Sequence, residues 1–251
     1  DPSLPEKEKD MMAIEISANS HSGFDCVTLI GKGAFGRVYK ARDKLLGKYY
    51  AIKVIPSLRE AEALSVLDHL NIVRYHACWM GDSGCQSDGT DSSCSSSQSS
   101  SGSSTMFLYI QLGLCDTKTL GDWINERNME KSSPNSKRRE ESLNIAQQMV
   151  RGVEYIHSKK FIHRDLKPSN ILFGQDGKVK IGDFSLVTTD NADDDKTPME
   201  RTLDKGTPLY MAPEQSGKTY DRKVDIFALG LIYFELLWTI PTYHERGKVC
   251  C

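Results

Sequence analysis

Residues 163–170 read HRDLKPSN, and residues 183–185 read DFS. Phosphoryl transfer needs a carboxylate that accepts the proton of a substrate hydroxyl, and it needs oxygen ligands that hold magnesium. Asp165 has the chemistry for the first role, and Asn170 and Asp183 have the chemistry for the second. These two stretches therefore predict a phosphoryl-transfer site.

A glycine-rich stretch lies upstream, where residues 31–38 read GKGAFGRV. Glycine has no Cβ, so a backbone with this spacing can bring its N–H groups close to phosphate oxygens. Three glycines alone are also typical of an ordinary hairpin turn. The prediction of a phosphate loop gains weight because Lys53 follows in a strand-like stretch, residues 50–54.

With AIK at 51–53 and APE at 212–214, these stretches resemble the signature of eukaryotic protein kinases from about residue 24 to the end of the chain. The resemblance implies an α+β, bilobal protein kinase fold. It has a small antiparallel β lobe with one helix and a mainly helical large lobe. It also implies ATP and Mg²⁺ as cofactors.

The resemblance assigns a role to each matching residue. The catalytic residues implied are Lys53, Asp165, Lys167 and Asn170. The residues implied to bind the metal are Asn170 and Asp183. Either Glu60 or Glu62 could hold Lys53, and the family pattern favours Glu60. The residues implied to bind ATP are Ile30, Gly31, Lys32, Gly33, Ala34, Phe35, Gly36, Val38, Ala51, Lys53, Glu60, Leu112, Gly113, Leu114 and Cys115.

Regulatory roles follow from the same resemblance. Thr202 is the predicted autophosphorylation site, and Arg164 would bind its phosphate. Thr207 would support the site by hydrogen bonding. His163 is predicted to be a buried structural residue. Ser185 stands where the family has glycine, so we expect a cost for positive φ there and altered switching of the Asp183 turn.

Composition restricts the alternatives. The 251 residues carry a net charge of −2, so the chain has no electrostatic signature for nucleic acid or an anionic membrane. No apolar run reaches the roughly 18 residues of a membrane span. Seven cysteines, an odd number without CxxC spacing, argue against a disulfide framework or a zinc site and favour the cytoplasm.

Composition also divides the chain. We predict a linker at 1–20, a kinase N-lobe at 21–114 and a C-lobe at 115–251 that is truncated after a buried helix. Residues 81–105 hold 12 serines and predict a disordered insert within the N-lobe. The periodicity predicts helices at 58–67, 120–127, 141–159 and 224–237, strands at 71–80 and 106–112, and a solvated loop at 132–139.

Two further stretches indicate a particular group of protein kinases. Residues 67–75 read LDHLNIVRY, and residues 206–215 read GTPLYMAPEQ. They resemble the kinases that phosphorylate the alpha subunit of translation initiation factor 2. Within these kinases they are most similar to the interferon-inducible, double-stranded-RNA-activated branch or to its fish relative with Z-nucleic-acid-binding domains.

This resemblance implies inhibition of protein synthesis in antiviral defence, innate immunity and stress, with that alpha subunit as protein substrate. Autophosphorylation and a homodimer through the N-lobe would activate the kinase. Nucleic acid would bind only through domains absent from this chain, and no membrane partner is implied. The family also continues past residue 251, and Glu214 is expected to be buried with its arginine partner there. The alternative function is a truncated, non-catalytic regulator that dimerises with the full-length kinase.

Overall fold

The computed structural model describes residues 23–33, 36–55, 58–82, 106–129, 135–190, 208–217 and 220–238. Its contacts form two compact units, Asp1–Ser57 with Ala77–Gln111 and Leu58–His76 with Leu112–Cys251. The predicted domain bounds stay a prediction. The expectations for the linker, for Ala34, Phe35, Thr202 and Thr207, and for most of the serine-rich insert fall outside the described residues.

The first unit is built on a five-stranded sheet with the order β1-β2-β3-β5-β4. The β1–β2 and β2–β3 pairs are antiparallel, as predicted for the small lobe. The strands are β1 (Phe24–Gly33), β2 (Gly36–Asp43), β3 (Tyr49–Ile55), β4 (Tyr75–Asp82) and β5 (Met106–Gly113).

Aromatic side chains form the core of this unit. The Trp79 ring stacks on Tyr109 at 5.6 Å and on Phe24 at 6.0 Å between centroids. Phe24 also meets Tyr50 edge-on at 6.5 Å. Offset-stacked and edge-on ring pairs stabilise a core beyond their buried area. The central strand β3 is buried along six of its seven residues, which places Lys53 in a buried strand.

Two strand limits differ from the sequence prediction. The stretch 71–80 was expected to be one strand, but β4 begins at Tyr75. The preceding backbone pairs elsewhere, since Ile181 N–H donates to Asn71 O and Val73 N–H donates to Ile181 O. At the other end β4 includes Gly81, which was assigned to the insert. A Cβ on Gly81 would lie 2.5 Å from the Tyr109 ring, so packing against that ring requires glycine.

The second unit is mainly helical. Its helices are α1 (Arg59–Val66), α2 (Leu120–Met129), α3 (Asn135–Ser158) and α4 (Lys223–Leu237). Short strands accompany them: β6 (Cys115–Thr119), β7 (Phe161–Ile162), β8 (Ile171–Gly174), β9 (Val179–Ile181) and β10 (Thr188–Thr189). The four predicted helices are confirmed. None of the helices in the described ranges is long and apolar enough to cross a membrane.

Helix α3 begins six residues before its predicted start. The basic residues 137–139 were expected in a solvated loop, and that prediction is wrong, because they lie on the first turns of the helix. Arg138 is only 8% exposed. Its guanidinium donates to Leu236 O at 3.0 Å and to Asn128 Oδ1 at 2.9 Å. A buried charge with several acceptors stabilises this turn, which the charge pattern alone could not indicate.

Helices α3 and α4 pack against each other and leave an apolar groove between them. Leu143 and Val150 on α3 are 42% and 53% exposed, and Ile226 on α4 is 49% exposed. These side chains line the groove. The prediction that α4 is buried therefore holds for one face of the helix only.

Candidate active site

The loop at residues 163–170 is held by one buried carboxylate on α4. Asp225 is 1% exposed and accepts the N–H groups of His163 at 2.9 Å and Arg164 at 2.8 Å. His157 Nε2 lies 2.8 Å from the same carboxylate. Arg164 has φ +67, a strained value for a side chain with a Cβ, and the two hydrogen bonds hold the backbone in it.

Asp165 follows this turn and collects donors from its own loop. Its Oδ2 accepts Lys167 Nζ at 2.7 Å and Asn170 Nδ2 at 3.0 Å. Asn170 Nδ2 also donates to Asp165 O at 2.8 Å. The Pro168–Asn170 turn of 3-10 helix brings the amide back towards the aspartate. The structure thus brings together the three predicted catalytic residues of this unit.

Asn170 and Asp183 lie close together because strands β8 and β9 pair. Ile171 is the Cα partner of Ile181. Gly182 N–H donates to Asn170 O at 2.9 Å, one residue before Asp183. The Asn170 amide nitrogen is used by Asp165, which leaves its Oδ1 as an acceptor. An amide oxygen and a carboxylate are hard-cation ligands, so this donor set fits magnesium.

The expectation for Ser185 concerned positive φ, and the structure places the strain elsewhere. Asp183, not Ser185, has a positive φ, of +56. Ser185 Oγ donates to Asp183 Oδ1 at 2.7 Å. The serine therefore has no steric conflict in this conformation and gains a hydrogen bond that glycine cannot make.

His163 is a structural residue, as predicted. It is fully buried, its Nε2 lies 3.0 Å from Gly182 O, and its Nδ1 accepts the Asp165 N–H at 3.3 Å. Since Nδ1 accepts, Nε2 carries the proton, and the ring meets Phe184 edge-on at 4.8 Å. The histidine thus links the loop at residues 163–170 to the turn at residues 182–184.

Burial favours Glu60 over Glu62 as the partner of Lys53. Glu60 is 2% exposed and its Oε1 accepts the Phe184 N–H at 3.2 Å, whereas Glu62 is exposed. A buried carboxylate requires partners, so Glu60 fits the role of lysine partner better. Its pairing with Lys53 stays a prediction.

The first unit contains the other predicted phosphate-binding groups. Gly36 has φ +144, and a Cβ there would lie 2.2 Å from Val54 O. Close packing of the loop base on β3 therefore requires glycine. Lys53 is only 8% exposed, so its side chain is not a solvated surface group. Ala51 is 8% exposed beside it on the same strand.

The remaining predicted ATP residues lie on strand ends or the residues that join them. Ile30, Gly31, Lys32 and Gly33 end β1, Val38 is on β2, Leu112 and Gly113 end β5, and Leu114 and Cys115 lead into β6. Leu112 is 6% exposed. Burial raises the pKa of the Cys115 thiol to about 11. Whether these side chains contact a nucleotide stays a prediction.

Arg164 is oriented by two further contacts. Its Nε donates to Leu186 O at 2.6 Å and its Nη1 donates to Tyr220 Oη at 2.8 Å. Its Nη2 is buried and has no hydrogen-bond partner among the described residues. This geometry suits binding of an anion, which is the role predicted for Arg164.

Sequence reasoning missed two carboxylates and misplaced one. Asp225 and Glu235 are both 1% exposed in α4 and were not assigned a role. The sequence feature that could have indicated them is an acidic residue within a nearly continuous apolar helix. A carboxylate buried in such a helix normally has a hydrogen-bond or ionic partner. Glu214 was expected to be buried, but it is exposed, so no burial penalty arises there.

A family model for the protein kinase domain matches residues 24–249, which includes every described element. The chain belongs to the protein kinase family. The match spans Lys53, the loop at residues 163–170 and the turn at Asp183.

Three relatives show which protein kinases this chain is similar to. The mouse interferon-induced, double-stranded RNA-activated protein kinase is 42% identical over 93% of this chain and 43% of its own length. The rat protein of that name is 42% identical over 89% of the chain and 42% of its own length. Bovine eukaryotic translation initiation factor 2-alpha kinase 3 is 46% identical over 57% of the chain and 13% of its own length. The chain thus spans less than half the length of these relatives.

Proposed function

We propose that this chain is the kinase domain of an ATP-dependent protein serine/threonine kinase that phosphorylates the alpha subunit of translation initiation factor 2. The observation that carries this proposal is the constellation at Asp165, whose carboxylate accepts Lys167 and Asn170 beside the Asp183 turn. The similarity to the mouse and bovine relatives supports a protein kinase reaction, and the bovine relative, a eukaryotic translation initiation factor 2-alpha kinase, supports the substrate.

Asp165 would accept the proton of the substrate hydroxyl. Its Oδ2 accepts two internal donors, and its Oδ1 has no hydrogen bond within the described ranges. A proton acceptor for a serine or threonine hydroxyl needs one accessible oxygen and a fixed orientation. The donors from Lys167 and Asn170 supply that orientation.

Lys167 would stabilise the transferred phosphoryl group. Its ammonium lies 2.7 Å from the proton acceptor, so positive charge is present where the phosphate meets the nucleophile. Lys53 would bind the α- and β-phosphates. Asn170 and Asp183 would hold magnesium, which neutralises phosphate charge when it is bound.

Arg164 would couple phosphorylation of Thr202 to order in the activation segment. Support comes from its buried Nη2, which has no partner in the described part of the chain. A phosphate carries about −1.5 to −2 charges at pH 7 and would supply acceptors for that nitrogen. The proposal also includes a homodimer formed through the N-lobe and a cytoplasmic location. Nucleic acid would bind only to regions outside this chain.

The test uses the purified 251-residue chain with labelled ATP, magnesium and the initiation-factor alpha subunit. We expect label in the alpha subunit and none with the matched Asp165→Asn variant, which keeps size and shape but cannot accept the proton. Incorporation equal to that of the variant would overturn the catalytic proposal and favour the non-catalytic regulator. Autophosphorylation without transfer to the alpha subunit would overturn only the substrate assignment.

A further inference from the structure

The residue after Phe184 carries a hydroxyl where the protein kinase signature has glycine. Ser185 is half-buried and its Oγ lies 2.7 Å from Asp183 Oδ1. The bond is directed at the carboxylate that the proposed function assigns to magnesium. A serine hydroxyl two residues away could instead have bonded to the backbone, as Ser158 Oγ does with Tyr155 O.

Asp183 is also the residue with strained backbone geometry in this turn, with φ +56. Aspartate tolerates this region because its short polar side chain can hydrogen-bond locally. The Ser185 hydroxyl is such a local partner. One hydrogen bond therefore acts on both the backbone conformation and the side-chain orientation of Asp183.

We propose that Ser185 is a positioning residue that orients the Asp183 carboxylate for the divalent metal before the metal binds. This inference rests on the proposed function, since it assumes that Asp183 is a metal ligand. A bond to Oδ1 fixes the carboxylate plane and hence the direction of Oδ2. A glycine at this position removes this restraint on the orientation of the carboxylate.

Ser185 would affect metal binding through its hydrogen bond to a metal ligand, without itself binding the metal. Hydrogen bonds that orient a ligand reduce the freedom lost when the metal binds, and removing them typically lowers metal affinity about 10- to 100-fold. The Ser185 hydroxyl is neutral and local, so we place its effect at the lower end of that range. It acts on metal affinity and leaves proton transfer at Asp165 unchanged.

The experiment measures metal binding directly on the 251-residue chain. Free Mn²⁺ is followed by electron paramagnetic resonance during titration of the protein with Mn²⁺ in the presence of ADP. We expect Ser185→Ala and Ser185→Gly to weaken Mn²⁺ binding by about 10-fold, because each removes the hydroxyl. Ser185→Thr, which keeps a hydroxyl, should stay within about twofold of the parent chain.

A matched control separates this effect from general loss of a serine. Ser158→Ala also removes a hydroxyl that donates over 2.7 Å, but to a backbone carbonyl at the end of α3. It should leave Mn²⁺ affinity unchanged. In kinase assays Ser185→Ala should need a higher magnesium concentration for half-maximal rate. At saturating magnesium it should reach the kcat of the parent chain. A folding defect would instead lower kcat at every magnesium concentration.

Two outcomes distinguish the positioning role from the metal site itself. If the parent chain and Asp183→Asn bind Mn²⁺ with ADP equally, the metal assignment in the proposed function is wrong. If Asp183→Asn loses binding while Ser185→Ala and Ser185→Gly match the parent chain, the metal site stands and the positioning role is overturned.

Discussion

At the scale of single residues, the environment of each polar group decides what it can do. Asp225 accepts two backbone N–H groups and lies next to His157, so its charge is compensated although it is 1% exposed. Removing one partner from a buried charged group costs about 3–5 kcal/mol. The carboxylate therefore stabilises the turn that presents Asp165, although it does not take part in the chemistry.

Cys115 gives a prediction at this scale. Burial raises the pKa of its thiol to about 11 from an ordinary 9.0. The thiolate is the nucleophile, so its fraction at pH 8 is about 100-fold smaller than for an unshifted thiol. We expect iodoacetamide to alkylate Cys115 at least about tenfold more slowly than Cys78, which is exposed. Peptide-resolved mass spectrometry at pH 8 measures both rates in one sample, and equal rates would contradict the prediction.

At the scale of elements, Arg138 joins the start of α3 to the ends of two other helices. Its guanidinium donates to Leu236 O and Glu235 O at the end of α4 and to Arg127 O near the end of α2. The last carbonyls of a helix have no partners within the helix, and a cation suits the negative end of its dipole. One side chain thus fixes three helix ends relative to each other.

We predict that Arg138→Ala lowers the free energy of unfolding by about 3 kcal/mol, because buried carbonyls lose a charged donor. The control is Arg139→Ala on the next, exposed position of α3, which should change stability by less than about 0.5 kcal/mol. Urea denaturation measures both. Similar losses in the two variants would show that the hydrogen bonds of Arg138 do not stabilise the helix ends.

The start of β2 supplies a second prediction for an element. Gly36 has φ +144 and no room for a Cβ, since that atom would lie 2.2 Å from Val54 O. Gly36→Ala should destabilise the protein by about 1–3 kcal/mol, because the strand must shift away from β3. At Gly33 a Cβ would meet no atom of the described residues within 4 Å, so Gly33→Ala should not lower the urea midpoint. A similar fall in both midpoints would refute the steric explanation.

At the scale of the whole molecule, His69 links stability to pH. Burial, followed by the charges of Lys180 and Arg151, lowers the pKa of His69 from its ordinary 6.5. Its Nδ1 accepts the Asn71 N–H at 3.0 Å, which also requires the neutral ring. The unfolded chain therefore binds the proton more readily than the folded protein.

The sign of the pH effect follows from this difference in proton affinity. Stability from neutral His69 is fully present above about pH 6.5 and decreases as the pH falls from there towards the lower pKa of the folded state. His69→Gln should flatten the dependence of the urea midpoint on pH in that window. An unchanged slope between pH 6.5 and pH 5 would contradict this assignment.

Much of the site was predictable because its residues lie within short motifs. Asp165, Lys167 and Asn170 occupy one loop, and a six-residue segment can bring them together by local backbone geometry. Helix positions followed from apolar periodicity, which burial of one face imposes. The start of α3 was not predictable, because Arg138 is stabilised there by carbonyls about 100 residues away in sequence. Charge pattern alone favours a solvated loop.

The amino-acid sequence by itself determined which chemical groups the protein has for phosphoryl transfer and the order of its strands and helices. Those properties depend on residue identity and local spacing. Only the tertiary structure decided that Glu60 rather than Glu62 is buried, that Asp225 holds the catalytic loop, and that Ser185 bonds to Asp183. Burial and hydrogen-bond partners between distant segments exist only after the chain has packed, and they decide which of several similar side chains can serve the site.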